Sequence, residues 1–292
     1  MKSPSRRYIA FICLVLSILV FESKAGPQSQ QPLSIDVNLV NVISTVQDAS
    51  GQYVTGLNVG DFRIYEDGVE QKIAVFEKQD VDSAVGVLMD TSLSMVDILP
   101  IMKTGLTDFA QHTNSLSELF VMTFGSRVRV LHDFGEPLTK LESNLKLISA
   151  QGTSFLYDAL VEGLRKVGAR QADRKALLIF TDGVDTAKGA GFRDVLLSAQ
   201  KAGALLYFIP IGSRILVDAN TIDSLARETG GRAIYLRKAD PIRPAMETIR
   251  QELARQYYLG YYTSRRPGFH SIRVEVPGRE LKIRAKSGYL IN

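Results

Sequence analysis

Three polar residues follow a short apolar run in the first third of the chain, and their oxygens could bind a hard cation. The run Val85-Gly86-Val87-Leu88-Met89 leads directly to Asp90, Ser92 and Ser94. It is too short for a buried helix and predicts a strand that is covered on both faces. One carboxylate and two hydroxyls on a tight loop suit Mg²⁺, Ca²⁺ or Mn²⁺. By itself the pattern favours a strand-to-helix turn whose hydroxyls cap the next helix.

Two further segments could complete such a site. Gly152-Thr153 lies in a loop before a predicted helix, and Thr181-Asp182-Gly183 closes a predicted strand at residues 177–180. In a doubly wound sheet of strand order 3-2-1-4-5-6, the first and fourth strands are neighbours and their loops diverge into a binding crevice. Because Asp90 ends the first strand and Asp182 follows the fourth, we expect the two carboxylates to meet there. Taken singly, each segment is also explained as a helix cap or a turn.

Strand and helix patterns alternate throughout the region that contains these segments. Strands are predicted at residues 84–89, 119–124, 127–134, 176–181, 204–209 and 233–236. Apolar residues at helical spacing predict helices that contain Ile98, Leu156, Phe192, Ile222 and Ile242. This alternation indicates an α/β fold over residues 81–256, a doubly wound Rossmann-like sheet with helices on both faces.

The two ends of the chain predict β-structure of a different kind. Asp67-Gly68 suits a tight hairpin in the N-terminal segment, and apolar and polar residues alternate through residues 257–289. Neither end has enough strands to form a stable core alone. We therefore expect residues 26–80 and 257–292 to pair into a small antiparallel β-sandwich into which the α/β domain of residues 81–256 is inserted.

The first 25 residues have the pattern of a secretory signal peptide. Lys2, Arg6 and Arg7 precede an apolar run at residues 8–21, and Ser23-Lys24-Ala25 offers small residues for cleavage. The run is shorter than the roughly 20 residues that span a bilayer, so we expect no stable membrane span after cleavage. Retention of the segment as an anchor is the alternative. The pattern predicts an exported protein, periplasmic or secreted.

Export also changes how the charge of the chain is interpreted. The net charge is +4 at pH 7, of which the predicted signal segment carries +3, leaving +1 for the mature protein. The basic balance therefore gives no reason to expect nucleic-acid binding. Cys13, the single cysteine, would be removed as well, so no disulfide is expected.

With these residues in view, the region 81–256 resembles the von Willebrand factor type A (VWA) domain. Its segment Asp90-Thr91-Ser92-Leu93-Ser94, together with Thr153 and Thr181-Asp182-Gly183, is similar to the metal-ion-dependent adhesion site of that family. The resemblance implies that the hydroxyls touch a divalent cation and that the carboxylates bind it directly or through water. Mg²⁺ is expected, with Mn²⁺ or Ca²⁺ as alternatives. The implied ligands are Asp90, Ser92, Ser94, Thr153 and Asp182.

An octahedral ion held in this way would keep a coordination position for water or for an acidic group. The resemblance thus implies a protein partner that offers an Asp or Glu. The flanks Glu66-Asp67-Gly68 and Tyr258-Leu259-Gly260-Tyr261 are also similar to exported bacterial "VWFA-related" proteins of acidobacteria.

Two more acidic residues lie close to the motif in sequence. Asp97 could bind a second metal, as in integrin β chains, but its place three residues before Pro100 favours capping of the next helix. Asp185 could contact the ligand residues without binding the cation itself, although a solvated charge in the loop is the simpler interpretation. We therefore expect neither to be a primary ligand.

Three functions fit this sequence. The first is a metal-dependent, adhesion-type protein-binding module outside the cytoplasm, and the second is a structural component of the cell envelope. The third is a hydrolase that uses the cation as a Lewis acid. Ser92 stands where a phosphatase D-x-D motif needs its second acid, and no nucleotide-binding or G-x-S-x-G motif is present. We expect no enzymatic activity, because His112, His132 and His270 lack a zinc-binding spacing and no general base is evident.

The tyrosine-rich stretch near the C-terminus has two interpretations. The side chains could form a recognition patch, but packing within the predicted sandwich is favoured because aromatic residues are typical of strands. The tyrosines concerned are Tyr257, Tyr258, Tyr261 and Tyr262.

The signal-peptide pattern of residues 1–25 leads to the first prediction. Protein isolated from its native host should begin at Gly26, because cleavage after Ala25 is expected. N-terminal sequencing of the exported fraction measures this directly. An intact Met1 on protein in the cytosolic fraction would contradict it.

Overall fold

A computed structural model describes residues 38–78, 82–112, 117–186, 189–212, 218–238 and 240–291. These ranges belong to one compact unit, Val37–Asn292. The expected signal peptide (residues 1–25) lies outside the described residues and stays a prediction. Within the described ranges, none of the helices has the length and apolar character needed to cross a membrane.

The secondary structure follows the two patterns expected for the middle and the ends. The strands are β1 (Asn38–Gln47), β2 (Arg63–Glu66), β3 (Val69–Gln71), β4 (Ile73–Lys78), β5 (Ser83–Asp90), β6 (Ser117–Phe124), β7 (Arg129–His132), β8 (Arg174–Thr181), β9 (Leu205–Pro210), β10 (Arg232–Ala233), β11 (Tyr257–Thr263), β12 (Gly268–Glu275), β13 (Lys282–Arg284) and β14 (Gly288–Ile291). The helices are α1 (Leu99–Gln111), α2 (Leu138–Lys146), α3 (Leu156–Gly168), α4 (Phe192–Ala202), α5 (Ala219–Thr229) and α6 (Ile242–Ala254). Short 3₁₀ turns occupy Val59–Asp61 and Leu93–Met95.

The central sheet has six strands in the order β10-β9-β8-β5-β6-β7. All neighbours are parallel except β7, which returns antiparallel beside β6. Numbered within this sheet, the order is 3-2-1-4-5-6, as expected for a doubly wound fold. The predicted fold class is therefore confirmed.

Helices cover both faces of this sheet, because side chains of the central strand alternate between two cores. Val85, Val87 and Met89 of β5 pack with α1, α2 and α6, whereas Ala84 and Leu88 pack with α3, α4 and α5. All eight residues of β5 are buried, which explains why its sequence is a continuous apolar run.

Helix α2 was not expected from the sequence. Its leucines Leu138, Leu141 and Leu145 recur at helical spacing, and the last two are buried against the sheet. The segment is short and rich in polar residues, so the apolar period alone was a weak signal.

The ends of the chain form two four-stranded sheets, and each sheet takes strands from both ends. One has the order β13-β1-β11-β4 and the other β14-β12-β2-β3. Antiparallel pairing of β1 with β11 and of β2 with β12 joins residues about 200 positions apart. Their common core includes Phe62, Ile64, Tyr257 and Tyr261. The expected antiparallel sandwich of the two ends is thus present.

A buried carboxylate joins this sandwich to the α/β sheet. Glu252 of α6 is fully buried and accepts hydrogen bonds from Tyr207 Oη at 2.8 Å and Tyr53 Oη at 3.2 Å. Arg232 and Arg284 form ion pairs with its Oε2. Tyr207 and Arg232 belong to the α/β sheet and Tyr53 and Arg284 to the sandwich segments, so one side chain connects both parts.

This junction leads to the second prediction. Glu252→Ala should lower the free energy of unfolding by about 2 kcal/mol, because it leaves two partly exposed arginines and two tyrosines without their partner. Thermal unfolding followed by circular dichroism should show a decrease of several degrees. Glu247→Ala is the matched control on the same helix, since Glu247 is 41% exposed and pairs with Arg250 at the surface. Equal effects of the two substitutions would contradict the role of Glu252.

Candidate metal centre

The two carboxylates of the predicted site are delivered by neighbouring parallel strands. β5 pairs with β8 from Ser83↔Arg174 to Met89↔Phe180, so both strands end at the same edge of the sheet. Asp90 is the last residue of β5 and Asp182 follows the last residue of β8. The negative charge of Asp182 acts on Asp90. The register of one strand pair therefore places both acids at the crevice.

Asp90 is a fully buried carboxylate whose hydrogen bonds come from neutral donors. Its Oδ1 accepts from the backbone N–H of Ser92 at 2.8 Å. Its Oδ2 accepts from Ser154 Oγ at 3.2 Å and Thr181 Oγ1 at 3.1 Å. Among the described residues, no basic side chain forms an ion pair with Asp90 or Asp182. The charge of Asp90 is thus solvated by the protein but not neutralised.

The environment of Asp90 raises its pKa to about 6 from the ordinary 3.8. Burial is the largest cause, because it disfavours the charged form, and the nearby charge of Asp182 adds to it. The hydrogen bonds from Ser92 act in the opposite direction. A bound cation would oppose this shift, because a positive charge nearby favours the ionised carboxylate.

Ser92 and Ser94 place their hydroxyls side by side on the loop after β5. The two Oγ atoms are 2.9 Å apart, with Ser92 buried and Ser94 exposed. Ser92 is the N-cap residue of the 3₁₀ turn Leu93–Met95, yet its side chain makes no capping hydrogen bond. The structure therefore does not support the alternative in which the Ser92 side chain only caps this turn.

The loop that carries Thr153 contacts the loop that carries the serines. The backbone N–H of Leu93 donates to Gly152 O at 3.2 Å, and that of Gln151 donates to Thr91 O at 2.7 Å. Gly152 has a φ of +75°, which favours glycine. Helix α3 begins after Phe155, with no side-chain cap, so Thr153 does not cap it. The Thr153 side chain is exposed.

Asp182 and Asp185 lie in one loop but have different partners. Asp182 is half-buried, and its Oδ1 accepts from the backbone N–H of Val184 at 3.0 Å. Asp185 Oδ1 accepts from the backbone N–H groups of Leu156 at 2.8 Å and Tyr157 at 3.4 Å. Asp185 therefore binds the start of α3, where a carboxylate is favoured by the free N–H groups and the helix dipole. The interpretation as a solvated loop charge was wrong.

Asp97 is also placed differently from expectation. Helix α1 begins at Leu99, with Ile98 as its N-cap and no side-chain capping bond, so the capping interpretation was wrong. The Asp97 side chain is 74% exposed and lies 3.7 Å from Lys238 Nζ. The 3₁₀ turn runs almost directly into α1, and the N–H of Ile98 already donates to Met95 O at 3.0 Å.

Two hydroxyls around Asp90 were not singled out from the sequence as site residues. Thr181 was noted only as part of its motif, and Ser154 was not noted. Thr186 reinforces this arrangement: its N–H donates to Ser154 O at 2.9 Å, and its Oγ1 accepts from the N–H of Ser154 at 3.1 Å. The adjacency of Ser154 to Thr153 was the one available signal.

The chemistry of these residues fits a hard divalent cation. All the candidate donors are oxygens, and two carboxylates match a charge of +2. The described residues contain no group of three or more His, Cys, Asp or Glu able to hold a metal, so any ion here depends on the hydroxyls. A soft, nitrogen- or sulfur-preferring site is not what the donors provide.

Comparison with known protein families finds a match over the segment that contains the motif. Residues 85–184 match the family model described as the von Willebrand factor type A domain, a range that includes all five candidate ligands. No curated protein matches the sequence.

Solved structures share the fold. One is proximal thread matrix protein 1 from the mussel byssus, described with a zinc-occupied MIDAS motif, with 15% identity and a TM-score of 0.54. The match covers 65% of this chain and 50% of that chain, so this chain spans about half of that protein. A von Willebrand factor type A protein from Catenulispora acidiphila has 12% identity and a TM-score of 0.51, covering 79% of this chain and 73% of that one. At such identities the likeness concerns the fold.

The raised pKa of Asp90 leads to the third prediction. In EDTA, the wild type should lose about 2 kcal/mol of stability relative to Asp90→Asn as the pH rises from about 4 to about 7. The sign follows because a carboxyl whose pKa is higher in the folded state favours folding only while it is protonated. Urea unfolding of both proteins across this pH range measures the difference.

The control for that experiment is Asp97→Asn, which removes an exposed carboxylate. Its stability relative to the wild type should stay nearly constant over the same pH range. A constant difference between the wild type and Asp90→Asn would show that ionised Asp90 does not destabilise the metal-free fold.

Proposed function

We propose that this chain is an exported, metal-dependent protein-binding module, because residues 85–184 match the family model of the von Willebrand factor type A domain. A divalent cation, Mg²⁺ in our proposal, is held by Asp90, Ser92, Ser94, Thr153 and Asp182. An acidic side chain of a protein partner completes its coordination. The zinc-occupied MIDAS motif of the mussel byssus protein supports a divalent cation at this position of the fold.

The observation that carries the proposal is the un-neutralised charge of Asp90. A fully buried carboxylate without an ion pair among the described residues, close to a second carboxylate, destabilises the fold. Such an arrangement is retained in a protein when it serves binding or catalysis. The attraction of a bound cation offsets both the desolvation cost and the repulsion between the acids.

Binding rather than catalysis is favoured by the groups around the site. Metal-assisted hydrolysis needs a general base within hydrogen-bond reach of the reacting water. All three histidines lie beside acids outside the candidate ligand set. His112 Nδ1 is 3.6 Å from Asp108, His132 Nδ1 is 3.7 Å from Glu136, and His270 Nδ1 is 2.8 Å from Asp67. The candidate ligands themselves are needed to hold the cation. The geometry therefore supports an adhesion-type module better than a hydrolase.

A purely structural role in the cell envelope is the remaining alternative. It would not require the cation, so metal dependence separates the two functions. The exposed hydroxyl of Ser94 and the exposed Thr153 give the cation a side that faces solvent. A partner carboxylate can therefore approach from solvent.

The fourth prediction tests the cation. Isothermal titration calorimetry with Mg²⁺ and Mn²⁺ should show one site in the wild type. Asp90→Ala and Asp182→Ala should each weaken cation binding strongly, because each removes a charged ligand. The loss should exceed the roughly 10–100-fold typical of substituting a residue that only hydrogen-bonds to a ligand. Ser94→Ala should weaken it less, since water replaces a neutral ligand.

Asp97→Ala is the matched control, because it removes a nearby exposed carboxylate outside the proposed ligand set. Equal affinity of the wild type, Asp90→Ala and Asp182→Ala would reject the site. For the partner, retention of envelope proteins on immobilised wild type should disappear in EDTA and with Asp90→Ala. Retention that survives both would favour the structural role.

A further inference from the structure

A cleft of about 420 Å³ lies beside the candidate metal centre. Its walls come from β6, the β6–β7 turn, β7 and the segment that follows α2. Thr91 and Gly152 line it as well, and they are the immediate neighbours of Asp90 and Thr153 in sequence. The volume falls in the range of ligand sites, about 300–1,000 Å³. The cleft therefore continues directly from the loops of the candidate site.

Close packing joins this cleft to the candidate site. A Cβ at Gly152 would lie 1.8 Å from Ser126 Oγ, and a Cβ at Gly125 would lie 3.1 Å from Thr91 Oγ1 and from Gln151 O. The β6–β7 turn thus touches both ligand-bearing loops without room for a larger residue. A molecule at the cation would meet the wall of the cleft.

The charge of the cleft is positive and lacks an internal counter-charge. Arg127 and Arg129 line it, and both are exposed. Its described lining contains no Asp or Glu, and neither arginine has an ion pair among the residues that the structure describes. By contrast, Arg170 and Arg250 at the surface are paired with Glu118 and Glu247. Two guanidinium groups are therefore available to an external anion.

Apolar side chains share the cleft with the arginines. Leu147 is 82% exposed and Val130 is 50% exposed, and both belong to the lining. Isolated exposed apolar residues need no explanation, but a pair in a concave site beside unpaired arginines is typical of a recognition surface.

We propose that this cleft binds an extended acidic segment of the protein partner. One carboxylate of the segment lies at the cation, and a second accepts hydrogen bonds from Arg127 and Arg129. This inference rests on the proposed function and adds the chemistry that selects the partner. An arginine fork suits a carboxylate because it donates two parallel N–H bonds. An apolar residue between the two acids would pack on Leu147 and Val130.

The neighbouring charges make this recognition depend on the cation. Without an ion, Asp90 and Asp182 repel an acidic segment and oppose the attraction of the arginines. With the ion bound, the centre is no longer net negative, so the cation and the arginines attract the segment together. A site that uses only the arginines would bind polyanions with or without metal.

The test uses the full chain and a labelled peptide, Leu-Glu-Leu-Glu-Leu-Glu, with the corresponding Gln peptide as its control. Fluorescence anisotropy in Mg²⁺ should show binding of the Glu peptide to the wild type. EDTA and Asp90→Ala should remove it. Arg127→Ala with Arg129→Ala should weaken it about tenfold, because charge-assisted hydrogen bonds are lost. Arg127→Glu with Arg129→Glu should weaken it further, through like-charge repulsion.

The matched control is Lys72→Glu with Lys282→Glu. It produces the same change in net charge at two exposed lysines of the sandwich, which form no ion pair in the described part of the chain, and it should leave peptide affinity unchanged. Thermal unfolding of each variant confirms that it is folded. Equal weakening by the arginine pair and the lysine pair, each changed to Glu, would mean that only net charge matters. That result would overturn the cleft as the binding site.

Three other outcomes separate the inference from the function on which it rests. Metal-dependent peptide binding that the arginine substitutions leave unchanged would overturn the cleft as the binding site. It would still agree with a metal-dependent protein-binding module. Binding of heparin or the Glu peptide that persists in EDTA would identify a general polyanion surface instead. No binding of the Glu peptide to the wild type would overturn the inference, whereas the proposed cation site is judged separately by calorimetry on the same samples.

Discussion

The parallel pairing of β5 with β8 at the centre of the sheet is the constraint on which the rest of the structure depends. Parallel neighbours present their carboxyl ends at the same edge, so Asp90 at the end of β5 and Asp182 directly after β8 lie at one edge of the sheet. Burial of β5 on both faces stabilises the sheet, and it also removes Asp90 from water. The same packing that holds the fold together thus creates a charge that the fold cannot neutralise.

The loops around this edge are organised to solvate that charge with neutral groups. Ser154 and Thr181 donate to one oxygen of Asp90, and the N–H of Ser92 donates to the other. Asp185 fixes the start of α3 from the opposite loop. These contacts hold the oxygens in place before any ligand arrives, which lowers the entropic cost of binding. In this respect the proposed site is preorganised for a cation.

The sandwich at the other end of α6 is coupled to the α/β sheet through Glu252 and its hydrogen-bonded tyrosines. Strand β11 follows α6 almost directly and pairs with β1 from the other end of the chain. The inserted domain therefore enters and leaves through neighbouring strands of one sheet.

The amino-acid sequence by itself determined the alternation of strands and helices, the sheet order and the neighbouring places of the two strands that lead to Asp90 and Asp182. It also indicated that the two ends need each other. These features follow from patterns with a fixed period and from topology rules that allow few arrangements. The narrower likeness to exported acidobacterial proteins stays a prediction, as does the signal peptide.

Only the tertiary structure decided which local interpretations were right. Asp97 and Asp185 both fit capping and loop patterns, yet Asp185 binds the start of α3 and Asp97 pairs with Lys238. Ser154 reaches Asp90 across 64 positions, and the cleft combines Arg127 with Leu147. Capping patterns are short and recur by chance, and contacts between distant loops depend on how helices such as α2 pack on the sheet. No local period in the sequence encodes those contacts.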